Sequence, residues 1–168
     1  MIFFRLLILQ IKLPTMKYFF TLAAFLLCLT SSQAQIGARQ KNFNLEKGMI
    51  AIQGYDPVGY FTQNKAIKGK KEFALNVMGI YYWFASDANR KTFMKDYKKY
   101  EPQYGGWCAY EFASTGQKMK PNPESFKISG GKLYLFSGSG ANGAIGKWNA
   151  GEASLKGKGD KNWNQIFR

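Results

Sequence analysis

The sequence predicts an α+β fold: a small antiparallel sheet built from hairpins and joined by a few short helices. Residues 73–77 alternate between apolar and small or polar side chains and precede an aromatic run at 80–84, which indicates a hairpin. Residues 125–129 and 132–136 flank a Gly-Gly pair, which indicates a second hairpin. Between them, apolar residues spaced by three or four positions follow Ser86, a pattern typical of an amphipathic helix.

The first 35 residues predict an export signal. Met16 and Lys17 precede an apolar run over residues 18–29, and residues 30–34 (TSSQA) supply a small-residue cleavage site. Because this run is too short to span a bilayer, we expect residues 1–35 to be a cleaved signal peptide. The product would be periplasmic or secreted and would have no transmembrane helix. Translation is expected to start at Met16, and an uncleaved anchor that begins at Met1 is the alternative.

One domain is expected after the signal. Residues 36–48 are polar and mixed, which predicts an N-terminal tether, and residues 49–168 have the length of a single domain. The Asp-Pro pair at 56–57 predicts a turn, because the residue before proline avoids the α region. Residues 58–62 are then expected to be extended, and residues 65–71 to form a basic loop.

The first hairpin should turn at Met78-Gly79, and the helix after it should begin at Ser86. The Ser86 hydroxyl can accept a hydrogen bond from a backbone amide of the first helical turn. Pro102 should end the helix. The expected apolar stripe comprises Phe93, Met94, Tyr97 and Tyr100.

The second hairpin follows a polar loop predicted over residues 114–124. Gly130 and Gly131 can both take positive φ, as a type I′ turn requires. Phe126 and Ile128 should then pair with the leucines of the other arm, Leu133 and Leu135.

The C-terminal part predicts weaker elements. Residues 141–150 predict a weak helix, because Gly143 and Gly146 each cost about 1 kcal/mol relative to alanine. Residues 156–161 are expected to form a basic loop. A short terminal helix should dock through Trp163, Ile166 and Phe167.

The chain is strongly basic, with 24 lysines and arginines, 10 acids and a net charge of +14. Residues 1–35 contain three of the bases and no acid, so the exported part keeps 21 bases and 10 acids, a net charge of +11. Such a surface attracts anionic envelope components. Only Arg39, Arg90 and Arg168 are arginines after residue 35, so a nucleic-acid partner is not expected.

Histidine is absent, and one of the two cysteines, Cys28, lies in the signal. The missing histidine excludes a Ser-His-Asp triad, a Cys-His pair and an HExxH zinc site. Cys108 would be alone in an oxidising compartment, so no intramolecular disulfide is expected and the core must provide the stability. We therefore expect a binding module rather than an enzyme.

Several motifs in order make the chain resemble the exported branch of the YHS-domain family over residues 51–167. They read GYDPVGYF at 54–61, YWFAS at 82–86, PQYGGWCA at 102–109 and GKLYL at 131–135, and Asn89, Phe93, Tyr97, Lys127, Ile128 and Trp148 also fit. The resemblance implies a YHS-like fold. It implies little about function.

The YHS family also implies metal ligands, and this chain departs from them. Shorter YHS domains resemble treble-clef-like metal-binding modules with cysteine and histidine ligands. The corresponding positions here are Gly59, Ala85 and Asn89, which supply neither a thiolate nor an imidazole. A structural zinc ion is therefore not expected.

Cys108 and Asp56 are the two residues of the motifs with reactive or ligating side chains. Cys108 is either a buried small hydrophobe, a ligand for a soft metal such as copper, or a reactive thiol. Asp56 is either a ligand, a base, or the cap of its own turn. The tyrosines and tryptophan of the motifs can pack in the core or line a pocket for a flat ligand such as haem or a sugar.

Three functional hypotheses follow. The first is a non-enzymatic module that binds a small ligand or a metal at a surface formed by Tyr55, Asp56, Tyr104, Trp107 and Cys108. The second is a thiol-dependent redox enzyme that uses Cys108. The third is an envelope interaction protein that acts through its basic surface.

Overall fold

The structure, a computed structural model, describes residues 33–167. Backbone contacts divide the chain into residues 1–35 and residues 36–168. The predicted signal peptide therefore lies outside the described residues, except for 33–35. No helix within the described range is long and apolar enough to cross a membrane.

A four-stranded sheet forms the first half of the unit. Its strands are β1 (Leu45–Glu46), β2 (Ile50–Ala51), β3 (Lys70–Val77) and β4 (Ile80–Phe84), in the order β1-β2-β4-β3. β3 and β4 form the predicted hairpin, with Val77 opposite Ile80. The α+β class is confirmed. The sheet is mixed, because β2 runs parallel to β4 while the other neighbours are antiparallel.

The second hairpin comprises β5 (Asn122–Ser129) and β6 (Lys132–Phe136). Gly130 and Gly131 have φ of 60° and 70°, as the predicted turn requires. The predicted pairing is confirmed, with Phe126 opposite Leu135 and Ile128 opposite Leu133.

Six helices complete the described unit: α1 over residues 33–42, α2 (Pro57–Thr62), α3 (Asp87–Lys95), α4 (Tyr97–Tyr100), α5 (Ala109–Thr115) and α6 (Ala144–Ile166). Ser86 caps α3 as predicted, since its hydroxyl accepts from the Asn89 amide at 3.2 Å. The predicted single helix is divided, because Asp96 ends α3 and caps α4. Met94 is 56% exposed and does not belong to the apolar stripe.

The prediction of an extended segment at residues 58–62 is wrong. Asp56 instead caps α2, and Pro57 occupies its first turn, where a missing amide hydrogen costs nothing. The predicted basic loop at 65–71 ends early, because β3 begins at Lys70.

Two further helices differ from the sequence expectation. α5 occupies the start of the predicted loop at 114–124, and ends where Gly116 adopts a left-handed conformation with φ of 78°. α6 runs through the predicted basic loop at 156–161, with one irregular residue at Gly151. The i,i+4 pair between Glu152 and Lys156, 2.7 Å apart, supports its continuation.

Strand β6 is buried on both faces and joins two hydrophobic clusters. Leu133 and Leu135 belong to the cluster under the four-stranded sheet. Tyr134 and Phe136 belong to the cluster that packs against α5 and α6. Because side chains alternate along a strand, one strand supplies both clusters.

The predicted tether at 36–48 contains most of α1 and all of β1, and it packs into the unit. The Arg39 guanidinium donates to the Glu101 carboxylate, which also accepts from the Tyr82 hydroxyl at 2.6 Å. All three residues are buried. Burial and the adjacent Glu101 carboxylate raise the pKa of Tyr82 well above its usual value, which keeps this hydroxyl a hydrogen-bond donor.

We predict that Arg39→Ala lowers the free energy of unfolding by about 3–5 kcal/mol, because it leaves a buried carboxylate without its cation. Arg90→Ala is the matched control. It removes a half-exposed ion pair with Asp87 and should cost far less than Arg39→Ala. Urea unfolding of the two variants measures the difference, and equal losses would contradict a role for the buried pair.

Candidate functional site

The motif at residues 102–109 lies along β6. It contains a 3₁₀ turn over Gln103–Gly106, and α5 begins directly after Cys108. Pro102 forms a parallel bridge with Leu133, and Cys108 forms one with Leu135. The motif therefore runs beside β6 at the edge of the second hairpin. It lies in the interior of the protein.

The two glycines of the motif permit a close approach of other chain segments. A Cβ atom on Gly105 would lie 2.6 Å from the Trp163 ring and 3.0 Å from the Phe43 Cα atom. The Asn44 backbone amide donates to the Gly105 carbonyl at 2.9 Å, and its side chain donates to the Gly106 carbonyl at 3.1 Å. The space beside the glycines is thus filled by the protein itself.

The aromatic residues of the motif are also committed to packing. The Tyr104 ring stacks on Phe112, and its hydroxyl donates to Asp160 at 3.2 Å. Burial, followed by the Asp160 charge, raises the pKa of Tyr104. The half-buried Trp107 donates its indole hydrogen to the Asn42 carbonyl at 2.7 Å.

Cys108 is fully buried, with 0% of its surface exposed. Its sulfur accepts from both the backbone amide and the hydroxyl of Ser137, each at 3.2 Å. Its own amide donates to the Met119 carbonyl at 2.9 Å. The thiol is therefore buried, and its sulfur is hydrogen-bonded inside the protein.

The methionines do not complete a copper site around this thiol. Met78 accepts a hydrogen bond from Tyr97 at 3.4 Å. Met94 lies on α3, and the Met119 side chain is exposed to solvent. Within residues 33–167 no three residues among histidine, cysteine, aspartate and glutamate cluster closely enough to hold a metal ion. The residues present do not fit a soft-metal centre at Cys108.

Asp56 connects three elements through its carboxylate, which is 0% exposed. One oxygen accepts from the Val58 amide at 2.8 Å, which caps α2. The other accepts from the Ala85 amide at 2.8 Å and from the Asn89 side chain at 2.7 Å. Ala85 and Asn89 occupy two of the positions where YHS domains have ligands, and here both residues donate hydrogen bonds to this carboxylate.

Gly59, the third of these positions, does not face Asp56. A Cβ atom there would lie 3.2 Å from the Ile67 side chain. Asp56 therefore has the predicted capping role, with all its contacts made inside the protein, and Gly59 does not face it in a common metal site.

Tyr55 is half-buried, as is Trp107 of the predicted set. Its hydroxyl donates to Glu124 at 3.1 Å, and the Lys68 ammonium lies 3.9 Å from the centre of its ring. Burial and this hydrogen bond raise the pKa of Tyr55. The five predicted residues therefore do not line one surface.

A cleft that the sequence reasoning missed lies on the outer face of the four-stranded sheet. It has a volume of about 560 Å³, within the range of about 300–1,000 Å³ typical of small-ligand sites. Its lining residues are Gly48, Ile50, Lys71, Ala74, Tyr81 and Trp83. Alternation along β4 was the available signal, since Ile80, Tyr82 and Phe84 point inward and leave Tyr81 and Trp83 outside.

Two glycines position Trp83 in this cleft. A Cβ atom on Gly54, which has φ of 78°, would lie 3.0 Å from the indole ring. One on Gly69 would lie 2.5 Å from the Trp83 backbone, and the Gly69 amide donates to the Gly54 carbonyl at 2.8 Å. Gly54 belongs to the GYDPVGYF motif, so this motif supports the cleft as well as α2.

A second hollow of about 470 Å³ lies between α5 and α6. Most of its polar side chains already have partners. Ser114 donates to the Tyr110 carbonyl at 2.7 Å, and Lys118 donates to the Asn42 side chain at 2.8 Å. The sheet cleft is therefore the better candidate site.

We predict that Gly105→Ala destabilises the protein more than Gly131→Ala. Both glycines have positive φ, which costs an alanine about 1–2 kcal/mol. Only Gly105 has neighbours within 4 Å, so its substitution should cost about 1–3 kcal/mol more. Urea unfolding measures both losses. Equal values would show that the close approach at Gly105 has no energetic importance.

We also predict that Cys108 is unreactive in the native state. In a Cys28→Ser background, a thiol-specific reagent should modify the folded chain at least about 100-fold more slowly than the unfolded chain, because a buried thiol is inert. Met119→Cys in the same background places a thiol at an exposed position and should add one fast phase. Fast modification of Cys108 itself would revive the redox hypothesis.

Comparison with known proteins identifies no relative. No family model matches the chain, and neither the curated proteins nor the solved structures include a similar one. The likeness to YHS domains stays a prediction from the motifs.

Proposed function

We propose that this protein is an exported, non-enzymatic module that binds a small ligand on the outer face of its four-stranded sheet. The observation that carries the proposal is the cleft beside Tyr81 and Trp83. Two aromatic side chains and two aliphatic ones give it apolar walls, and Lys71 adds one cation. A mostly apolar cleft with few polar groups is typical of ligand sites.

The lining residues favour binding over chemistry. Acid–base or nucleophilic catalysis needs a positioned base or nucleophile, commonly oriented by a second group. The cleft lining contains no acid and no thiol among the described residues. Cys108 and Asp56, the reactive groups of the motifs, are buried elsewhere and hydrogen-bonded.

Exposure supports a role for Tyr81 in particular. Its side chain is 43% exposed, while Tyr82 beside it on the same strand is fully buried. Met49, also exposed, accepts a backbone hydrogen bond from Tyr81 at 2.8 Å and extends the apolar surface. Trp83 is half-buried and held in place, so little side-chain entropy is lost on binding.

Saturation-transfer NMR of the full chain with a panel of sugars, aromatic carboxylates, nucleotides and haemin tests the proposal. Any hit should bind at least about tenfold more weakly to Tyr81→Ala and Trp83→Ala, a loss of about 1.4 kcal/mol. Phe167→Ala is the matched control, since Phe167 is 40% exposed and lies outside the cleft.

Hits that survive both substitutions in the cleft, or a panel without hits, would contradict the proposal. A copper titration belongs to the same experiment. Copper binding that Cys108→Ser removes and Tyr81→Ala preserves would instead place the ligand at the thiol.

A further inference from the structure

The cleft presents a stacking surface. Tyr81 and Trp83 alternate along β4, so both leave the sheet on the same face, about 7 Å apart along the strand. The apolar face of a pyranose ring packs against an aromatic ring by dispersion and burial of C–H groups. An open cleft with two aromatic side chains in a row suits a short chain of sugars.

The hydrogen-bonding groups of Tyr81 and Trp83 are available to a ligand. The hydroxyls of the buried Tyr60, Tyr82 and Tyr104 donate to protein acceptors. Neither the Tyr81 hydroxyl nor the Trp83 indole nitrogen has a hydrogen-bond partner among residues 33–167. Sugar hydroxyls can accept from both.

The charge around the cleft is positive and unpaired. Lys71 lines the cleft, and Lys47 precedes the lining residue Gly48. Neither of these two lysines forms an ion pair within the described residues. The nearby Glu46 is paired with Lys120 at 2.5 Å, and Glu72 is the one acid on β3.

The observations favour an acidic sugar over a nucleic acid. Nucleic-acid sites rely strongly on arginine for bidentate contacts and stacking. Here Arg39 is buried against Glu101, and Arg90 is paired with Asp87. Lysine provides a point charge, which suits a carboxylate on a sugar ring.

We infer that the ligand of the sheet cleft is an acidic carbohydrate. Its ring stacks on Tyr81 and Trp83, and its carboxylate pairs with Lys71. The inference rests on the proposed function, and it names the ligand class for that same site.

Isothermal titration calorimetry of the full chain with trigalacturonate and with its methyl ester tests the inference. The ester keeps the rings and removes the charges. We expect the acid to bind at least about tenfold more tightly at low salt, and this advantage to shrink as salt rises. Lys71→Ala should reduce this advantage of the acid over the ester at least about fivefold, because the ester has no carboxylate to pair with the Lys71 ammonium.

Lys158→Ala is the control for net charge, since Lys158 is exposed on α6, and it should leave both affinities unchanged. Equal affinities for the acid and the ester would overturn the inference that the ligand is acidic. If Tyr81→Ala then weakened binding of both compounds, the proposed site on the sheet would still be supported. No binding of either compound would overturn the carbohydrate inference, and the NMR panel judges the site separately. If oligothymidylate bound more tightly than trigalacturonate and with the same dependence on Tyr81 and Lys71, the ligand would be a nucleic acid and the carbohydrate inference would be overturned.

Discussion

The close approach at Gly105 is the constraint on which the rest of the unit depends. At this point the backbone of Phe43 and the ring of Trp163 both lie against the position that a Cβ atom of residue 105 would occupy. Any side chain at Gly105 would push apart segments that are far separated in sequence. The motif is therefore the place where the beginning, middle and end of the unit pack together, which accounts for its glycines without a ligand.

Strand β6 connects the segment at Gly105 to both hydrophobic clusters. Its inward leucines pack beneath the four-stranded sheet, and its aromatic residues pack against α5 and α6. A change at either cluster therefore acts on the same strand. The sheet cleft lies on the opposite face of β4 from the first cluster, so a ligand there would contact the unit without disturbing its packing.

Local patterns predicted those elements whose signals are local. Both hairpins, the Gly130-Gly131 turn and the Ser86 cap follow from residues within a few positions of each other. The packing of α1 could not be predicted this way, because the partner of Arg39 is Glu101, 62 positions later. α6 was predicted in pieces because glycines and lysines weaken its pattern, while Trp148 and Trp163 stabilise it through packing.

Part of the candidate site could be predicted from the sequence. The aromatic run at 80–84 identified the strand, and strict alternation would have placed Tyr81 and Trp83 on one face. What the sequence concealed was the role of the motifs, because a conspicuous carboxylate or thiol looks functional until its partners are known. The long separation of these contacts also sets an order of events. Phe43 reaches Trp163 only when nearly the whole chain is available, so this contact can form only after α6 has been synthesised.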